Sequence, residues 1–484
     1  MHRMTRHGVF LVPVLDRWLA FAPLHGVAAV VNAAAARDLR RGAAVLSNGA
    51  LADLGRVLRR VPSNAPCPPD GEACPPLLGI IPTRGCNLAC AYCDFGGSSS
   101  AHTTMAPSIA VAAVDWMAQR MRDAGRRSYR VHFFGGEPFL APEIVAIVVH
   151  RVRLLADRHG LAPYVDGSTS GVIDAGVCEF IGDYFSGIAV SLDGPPEIHN
   201  RLRPRSGGQP TFDHVNRTVA RLSEMPVELC LRACITEDSV EELEHVVRWM
   251  IDTYRPSAVN IETLTPGVAS RRAGLKAPDP YRFAARCVSA YKVADDTGVP
   301  VVYSAAERER ARLSFCPVGT DAVIVSPDGR VSACYLRPED WRSRGLDLDV
   351  GGIDTEGTVV IDRGALGRVR ELPLLKPRCA RCFCQWTCAG GCHINETYPG
   401  CAVDYTPFCV QTRIVTACLL LRDAGCGEVA DALVSDQRAM ERLACHRWDP
   451  FDSIGDENVP VTGEASRVWL RGGEPRRAQS GSPP

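Results

Sequence analysis

The sequence predicts an α/β protein with a parallel central sheet, followed by a separate cysteine-rich segment. Three observations carry this. From Leu77 to Thr297, apolar runs of strand length alternate six times with stretches of helical periodicity. After about Val301 that rhythm stops, and Cys, Gly and Pro dominate as far as about Cys409. The chain's 21 cysteines are clustered rather than spread.

Taken in order, residues 1–75 read as a separate block. Val9–Leu15 and Trp18–Pro23 alternate like a hairpin around Asp16-Arg17, Ala28–Leu39 is Ala-rich with helical spacing, and Leu51–Leu58 is a second short helix. Pro62 to Pro76, with Asn64, Asp70 and Gly71, reads as a linker. Residues 76–300 hold the βα units. The expected strands are Leu78–Pro82, Tyr129–Phe134, Ala162–Asp166, Ile188–Leu192, Glu228–Ile235 and Val259–Leu264. The expected helices are Ser108–Ala124, Pro142–His159, Ala175–Tyr184, Asp213–Ser223, Ser239–Tyr254 and Pro280–Thr297. Repeated strand–helix units imply crossover helices on a parallel sheet, which places loop chemistry at the carboxyl ends of the strands. Residues 301–420 form the cysteine-rich segment. Residues 421–484 are a helical end (Ile414–Arg422 leads into Glu428–Ala444) and, from about Trp448, a Gly-, Pro-, Arg- and Ser-rich tail expected to be disordered.

The 484 residues carry a formal net charge of -1, which favours neither nucleic acid nor an anionic membrane as partner. No apolar run approaches the roughly 20 residues needed to span a bilayer. The Val9–Leu15 stretch is too short for a secretory signal. A cytoplasmic protein is expected, and there clustered thiols bind metal or do redox work more often than they form disulfides. Cys178, Cys230, Cys234 and Cys287 lie in apolar surroundings and read as small buried hydrophobes.

The first cluster of thiols is Cys86, Cys90 and Cys93, in the run Thr83-Arg84-Gly85-Cys86-Asn87-Leu88-Ala89-Cys90-Ala91-Tyr92-Cys93 directly after the first expected βα strand. Three thiolates on one tight loop can hold three irons of a [4Fe–4S] cube and leave the fourth open to a ligand. The alternative, a structural zinc site, is normally closed by a fourth protein ligand, and none lies nearby in sequence.

This CxxxCxYC run after a βα strand resembles the radical S-adenosylmethionine (SAM) superfamily, with Tyr92 at that family's aromatic position. Further motifs fall in order at strand ends. Gly135-Gly136-Glu137-Pro138 looks like the family's GGEP motif, although alone it also reads as a plain turn. Thr169-Ser170-Gly171 stands where relatives show Thr-Asn-Gly. Ser191-Leu192-Asp193-Gly194 with His199-Asn200-Arg201-Leu202-Arg203 is similar to the SLDG…HxxxR stretch of peptide-modifying members. The resemblance covers about Leu77–Leu264. It implies a partial (β/α)6 TIM-like barrel, a catalytic [4Fe–4S] cluster on Cys86, Cys90 and Cys93, and S-adenosylmethionine as cofactor. Gly135, Gly136, Glu137, Pro138, Ser170, Ser191, Asp193 and Arg203 would bind that cofactor; Arg203 also reads as a plain surface charge. The implied mechanism is one-electron reduction of the bound sulfonium to give a 5′-deoxyadenosyl radical that abstracts a hydrogen atom.

The second field runs through Cys316, Cys334, Cys379, Cys382, Cys388, Cys392 and Cys409. It looks like the seven-cysteine SPASM extension, which carries auxiliary [4Fe–4S] clusters. In that resemblance Cys316, Cys334 and Cys392 serve a first auxiliary cluster, and Cys379, Cys382, Cys388 and Cys409 a second. Full-ligand members have one more cysteine shortly after the first; Pro317–Val323 contains none. The first cluster then has an open iron, or Cys384 or Cys401 completes it. Structural zinc ribbons fit the CxxC spacing as an alternative.

SPASM members mostly act on peptides and proteins. The resemblance implies a maturase of a ribosomally made precursor peptide that forms a side-chain crosslink, supplied by an external electron donor of the flavodoxin or ferredoxin type. Two other readings are a formylglycine-generating sulfatase maturase and a radical dehydrogenase or epimerase of a small molecule. In the sulfatase subgroup an Asp, the proposed base, follows the second SPASM cysteine. Here that residue is Tyr335, leaving Asp340, His393 or Glu396 as other bases. The hairpin and Gly26–Ala35 run of residues 1–75 is similar to the winged-helix peptide-recognition domains of ribosomal-peptide pathways. Its plainer reading is an element capping the barrel.

Overall fold

The computed structural model describes residues 9–41, 52–95, 103–380, 382–396, 405–445 and 467–470. Among them, strands form two sheets. The smaller contains β1 (Phe10–Val14), β2 (Arg17–Ala22), β3 (Val27–Val31) and β15 (Arg467–Leu470), in that order and antiparallel throughout. The larger is built on β4 (Leu77–Ile80), β5 (Ser128–Phe133), β6 (Ala162–Thr169), β7 (Gly187–Ser191), β8 (Glu228–Ile235) and β9 (Ala258–Thr263), each parallel to the next. A short β10 (Val301–Val302) extends it beyond β9.

All six expected βα strands are present, with ends that differ by at most three residues. On β8, Leu229, Leu231, Ala233 and Ile235 are buried against the helical layer, whereas Cys230, Arg232 and Cys234 are less buried and take the other face. The helices Pro107–Asp123, Pro142–His159 and Pro280–Thr297 each begin with Pro, whose fixed φ suits the first helical position. Gly160 and Gly298 end the latter two in the left-handed conformation that Gly adopts without a Cβ penalty.

The cysteine-rich segment is not detached. Its β11 (Val323–Val325) pairs in parallel with β4, on the side opposite β5. Then β12 (Arg330–Ser332), β13 (Asp349–Ile353) and β14 (Val359–Ile361) continue the sheet antiparallel. Among the described residues the sheet therefore ends at β10 and β14 and does not close. The Pro62–Pro76 stretch has neither helix nor strand but is tied down. Arg370 donates to the Gly71 carbonyl (2.9 Å) and, from two nitrogens, to both Asp321 oxygens (2.6 Å each).

Two expectations are corrected. Ala28–Leu39 is not one helix: Val27–Val31 is strand, and the helix is Ala33–Arg41. The Ala content suggested a helix, but Val27, Val30 and Val31 are β-branched, the whole run is buried, and β2 and β15 pair with it on both sides. The tail is also not wholly without structure, since Arg467–Leu470 is β15; the remainder from Trp448 lies outside the described residues. The helix Pro196–Leu202 was not expected either, because the Pro-Pro pair and the short length conceal it. No helix among the described residues is long and apolar enough to cross a membrane.

Candidate functional site

The loop Pro82–Cys93 leaves the carboxyl end of β4, and the loops after β5, β6 and β7 close around it. Glu137 N donates to Gly85 O (2.8 Å) and Gly136 N to Thr83 O (3.3 Å), so the Gly-Gly turn lies directly on the thiol loop. A Cβ on Gly136 would stand 2.0 Å from Gly85 O, which explains the glycine better than any turn type does. We predict that Gly136→Ala costs about 1–3 kcal/mol or more, because backbone must move. Urea melts of the metal-free chain measure this, and an unchanged midpoint would contradict the contact.

From the β6 end, Asn87 Nδ2 donates to Val172 O (2.7 Å) and Ser170 Oγ to Asn87 Oδ1 (3.3 Å). Glu137 is fully buried and its carboxylate accepts from Thr169 Oγ1 (3.0 Å), Ser170 N (2.7 Å) and Phe139 N (3.3 Å). Burial raises its pKa despite those donors. From the β7 end, Ala89 N and Ala91 N donate to Pro204 O and Leu202 O (2.8 Å each). Tyr92 OH donates to Asp193 Oδ2 (2.7 Å) and accepts from Arg203 Nη1 (2.5 Å). Cys234 N donates to Asp193 Oδ1 (3.0 Å), which links β8 to the same group. Arg203 is buried rather than a surface charge, and its Nε has no partner among the described residues. Ser191 ends β7, opposite Arg232 on β8, and Pro138 opens the short 3-10 turn after Glu137.

Cys86 and Cys90 are partly buried and Cys93 is exposed. Burial pushes the Cys86 thiol up to about 11 and Cys90 up to about 12. Leu88 N points at Cys86 Sγ (3.5 Å), a donor to a developing thiolate. Soft thiolates on one loop beside a buried guanidinium fit an anionic iron–sulfur cluster.

The second field separates into two groups. Burial first, then neighbouring thiols, raises Cys316 (beside Cys392) and Cys334 (beside Cys316 and Cys392). Burial first, then thiols that include Cys382 in each case, raises Cys379, Cys388 and Cys409. Cys384 stands with Cys382, hydrogen-bonded to it, and not with the first group; Cys401 lies outside the described residues. Arg413 Nη1 donates to Cys382 Sγ (3.1 Å), and its guanidinium lies 4.3 Å from the Tyr405 ring and 4.9 Å from that of Phe383. The Cys384 thiol first, then Arg413, pulls the Cys382 thiol down. Lys376 Nζ donates to Ala389 O (2.7 Å) and Gly391 O (3.1 Å), near thiols of both groups. Among the described residues, no three or more His, Cys, Asp or Glu converge tightly enough for a single metal ion. A cube spreads its thiolates over separate irons and does not need that convergence.

Sequence reasoning missed Asn87 and Arg413. A lone Arg directly ahead of the apolar run Ile414–Leu421 was the one visible signal. Tyr335 lies beside Phe134 and His132 (ring centroids 5.0 and 5.7 Å), and its buried OH has no partner among the described residues. Of the other proposed bases, Asp340 caps a short helix by accepting from Arg337 N, His393 pairs with Ser314, and Glu396 accepts from Thr406.

Comparison with known proteins agrees with this geometry. Residues 80–250 match the Radical SAM superfamily. A cysteine-type anaerobic sulfatase-maturating enzyme of Clostridium perfringens is 28% identical over 182 residues, 36% of this chain and 48% of its own. The chain thus spans about half the length of the curated relatives it matches. Among solved structures, native anSMEcpe with bound AdoMet and Kp18Cys peptide superposes with a TM-score of 0.55 at 19% identity, over 72% of this chain and 99% of that one. Streptococcus suis SuiB bound to precursor peptide SuiA gives 0.50 at 14%, over 68% and 76%. These two likenesses concern the fold alone; the sequence match, within which the three loops gathered on the thiol loop fall, places a radical SAM domain at residues 80–250.

Proposed function

We propose that this chain is a radical SAM enzyme that modifies a ribosomally synthesised precursor peptide, forming a new bond from a side-chain carbon. The observation that carries the reading is the convergence of the β5, β6 and β7 loops on Cys86, Cys90 and Cys93. The cofactor pair, a [4Fe–4S] cluster and S-adenosylmethionine, supplies a 5′-deoxyadenosyl radical when bound. Cys86, Cys90 and Cys93 would hold that cluster. Asp193 and Arg203, joined through Tyr92, form a fixed charge pair beside the thiol loop. The buried guanidinium suits a carboxylate. Gly135, Gly136, Glu137, Pro138, Ser170 and Ser191 shape the wall and exclude water.

The two further thiol groups would hold one or two auxiliary clusters, with Arg413 offsetting charge at Cys382. An external flavodoxin- or ferredoxin-type donor would supply the electrons. A peptide substrate is supported by the fold shared with anSMEcpe and SuiB, both of which were solved with peptides.

The second reading, formylglycine formation on a sulfatase, rests on the Clostridium relative. Tyr335 counts against it. Incubation with S-adenosylmethionine, dithionite and, separately, the peptide from a neighbouring short reading frame or a sulfatase peptide decides between them. A crosslinked product unreactive to hydroxylamine supports the precursor reading. An aldehyde trapped by hydroxylamine on the sulfatase peptide overturns it.

A further inference from the structure

The face of β5–β9 turned away from the helices carries several charges, and one cation on it stands apart. Register places Ser191, Arg232 and Asn260 side by side on β7, β8 and β9, with Cys234 beside Glu262 one step nearer the carboxyl ends. Arg130 bonds both oxygens of Asp166, which also meets His132 Nδ1 (3.0 Å). Asp193 is held by Tyr92 and by Cys234 N. Glu262 accepts from Ser304 N (3.1 Å). Arg232 is exposed, and its guanidinium makes no hydrogen bond or ion pair among the described residues. Beside it, Asn260 donates from Nδ2 to Ser304 Oγ (3.4 Å), while its buried Oδ1 has no partner among the described residues.

The two groups ask for complementary partners. A guanidinium offers a planar fork of N–H donors that matches a carboxylate. An amide oxygen accepts an N–H. While water covers this face, Arg232 keeps its hydration and needs no counterion. A segment that covers the face removes that water, and a cation buried without a counterion is strongly unfavourable. Glu262 does not fill the need. Burial raises its carboxyl, opposed by Ser304 and then by Arg232, and one of its oxygens is engaged at Ser304. Whatever lies on this face must bring its own anion or be rejected, which is a basis for discriminating among peptides.

Resting on the peptide-modifying function proposed above, we infer that Arg232 and Asn260 form a carboxylate-selective subsite for the substrate. Arg232 pairs with a carboxylate of the peptide, and Asn260 Oδ1 accepts an N–H of the same segment. Two sources share that chemistry, an acidic side chain and a free C-terminus. The subsite is distinct from Arg203, which is buried and bonded to Tyr92, whereas Arg232 lies on β8 itself and is open to a ligand.

The test uses the full chain after anaerobic cluster reconstitution, with Arg232→Gln and Arg232→Lys variants. The probes are three acetylated tripeptides. Amidated Gly-Glu-Gly has a side-chain carboxylate, triglycine with a free C-terminus has a terminal one, and amidated Gly-Gln-Gly has neither. Binding is measured by calorimetric titration at low ionic strength, where screening is weakest. The wild type should bind one of the two carboxylate probes at least about tenfold tighter than the Gln probe. That preference should vanish in Arg232→Gln and survive in part in Arg232→Lys, which keeps the charge without the fork. Preference for Gly-Glu-Gly assigns the site to an acidic side chain, and preference for the free terminus assigns it to a C-terminus. Equal binding of all three probes to the wild type, a preference that survives Arg232→Gln, or its equal loss from both variants overturns the inference. The product assay described above tests the proposed function by itself. A carboxylate preference without a modified peptide would leave the subsite standing and remove the function, and a modified peptide without the preference would do the reverse.

Discussion

Replacing Cys86, Cys90 and Cys93 together with Ala is expected to reduce 5′-deoxyadenosine formation, in dithionite and S-adenosylmethionine, to the enzyme-free background. It should also lower iron from about twelve to about eight per chain after anaerobic reconstitution, if three cubes load. The loop is held by backbone bonds to Gly136, Glu137, Leu202 and Pro204 segments rather than by its thiols, so the variant should keep its fold. The remaining iron should stay because the second field lies on other elements, after β10 and on the helix Pro407–Asp423. Loading should also depend on pH with a known sign. Burial holds Cys86 and Cys90 as neutral thiols up to about 11 and 12, and cluster formation must remove those protons, so reconstitution is favoured as pH rises. Continued product from the triple variant, or an unchanged iron content, would rule out this loop as the reactive site.

Arg203→Met should produce the largest loss of stability among the site variants. Arg203 and Asp193 are 8% and 1% exposed, and Tyr92 OH bonds both. Removing one partner of a buried charge pair leaves the other uncompensated, at a cost of about 3–5 kcal/mol. Burial already raises the Asp193 carboxyl above its ordinary value, and Arg203 is the strongest opposing influence. In the variant that carboxyl rises further. An acid whose folded pKa exceeds its unfolded one binds more protons when folded, so its contribution falls as pH rises from the ordinary Asp range through the raised value. The variant should therefore lie closer to wild type at pH 5 than at pH 8. Urea melts of the metal-free chains at both values check this; a penalty that is equal at the two pH values would mean that Asp193 is not left charged and unpaired.

The functional-site residues divide by how they become visible. Cys86, Cys90 and Cys93 are legible because their CxxxCxxC spacing lies on one loop. The Gly-Gly-Glu-Pro turn becomes specific only through its order after a second strand, and its true constraint, contact with Gly85 O, is non-local. Arg203 reads equally as a surface charge in sequence. Burial and the bond to Tyr92 exclude that, and neither is encoded within a few residues of it. Arg413 was missed for the same reason: its partners Cys382, Phe383 and Tyr405 come from other segments.

Local pattern, then, determined the strands and helices of the six βα units, the strand ends that carry chemistry and the thiol runs Cys86–Cys93 and Cys379–Cys392. Each rests on periodicity or spacing over fewer than about twenty residues, the range over which side-chain direction and ligand reach are set by the backbone itself. Tertiary structure decided what depends on pairing between distant segments. Val27–Val31 is a strand because β2 and β15 flank it, although Ala-rich composition favours helix. Cys384 joins Cys382 rather than the Cys316 group, and β11 attaches the cysteine-rich segment to β4. In each case the choice lies in burial and cross-chain hydrogen bonds, whose partners a linear pattern does not name.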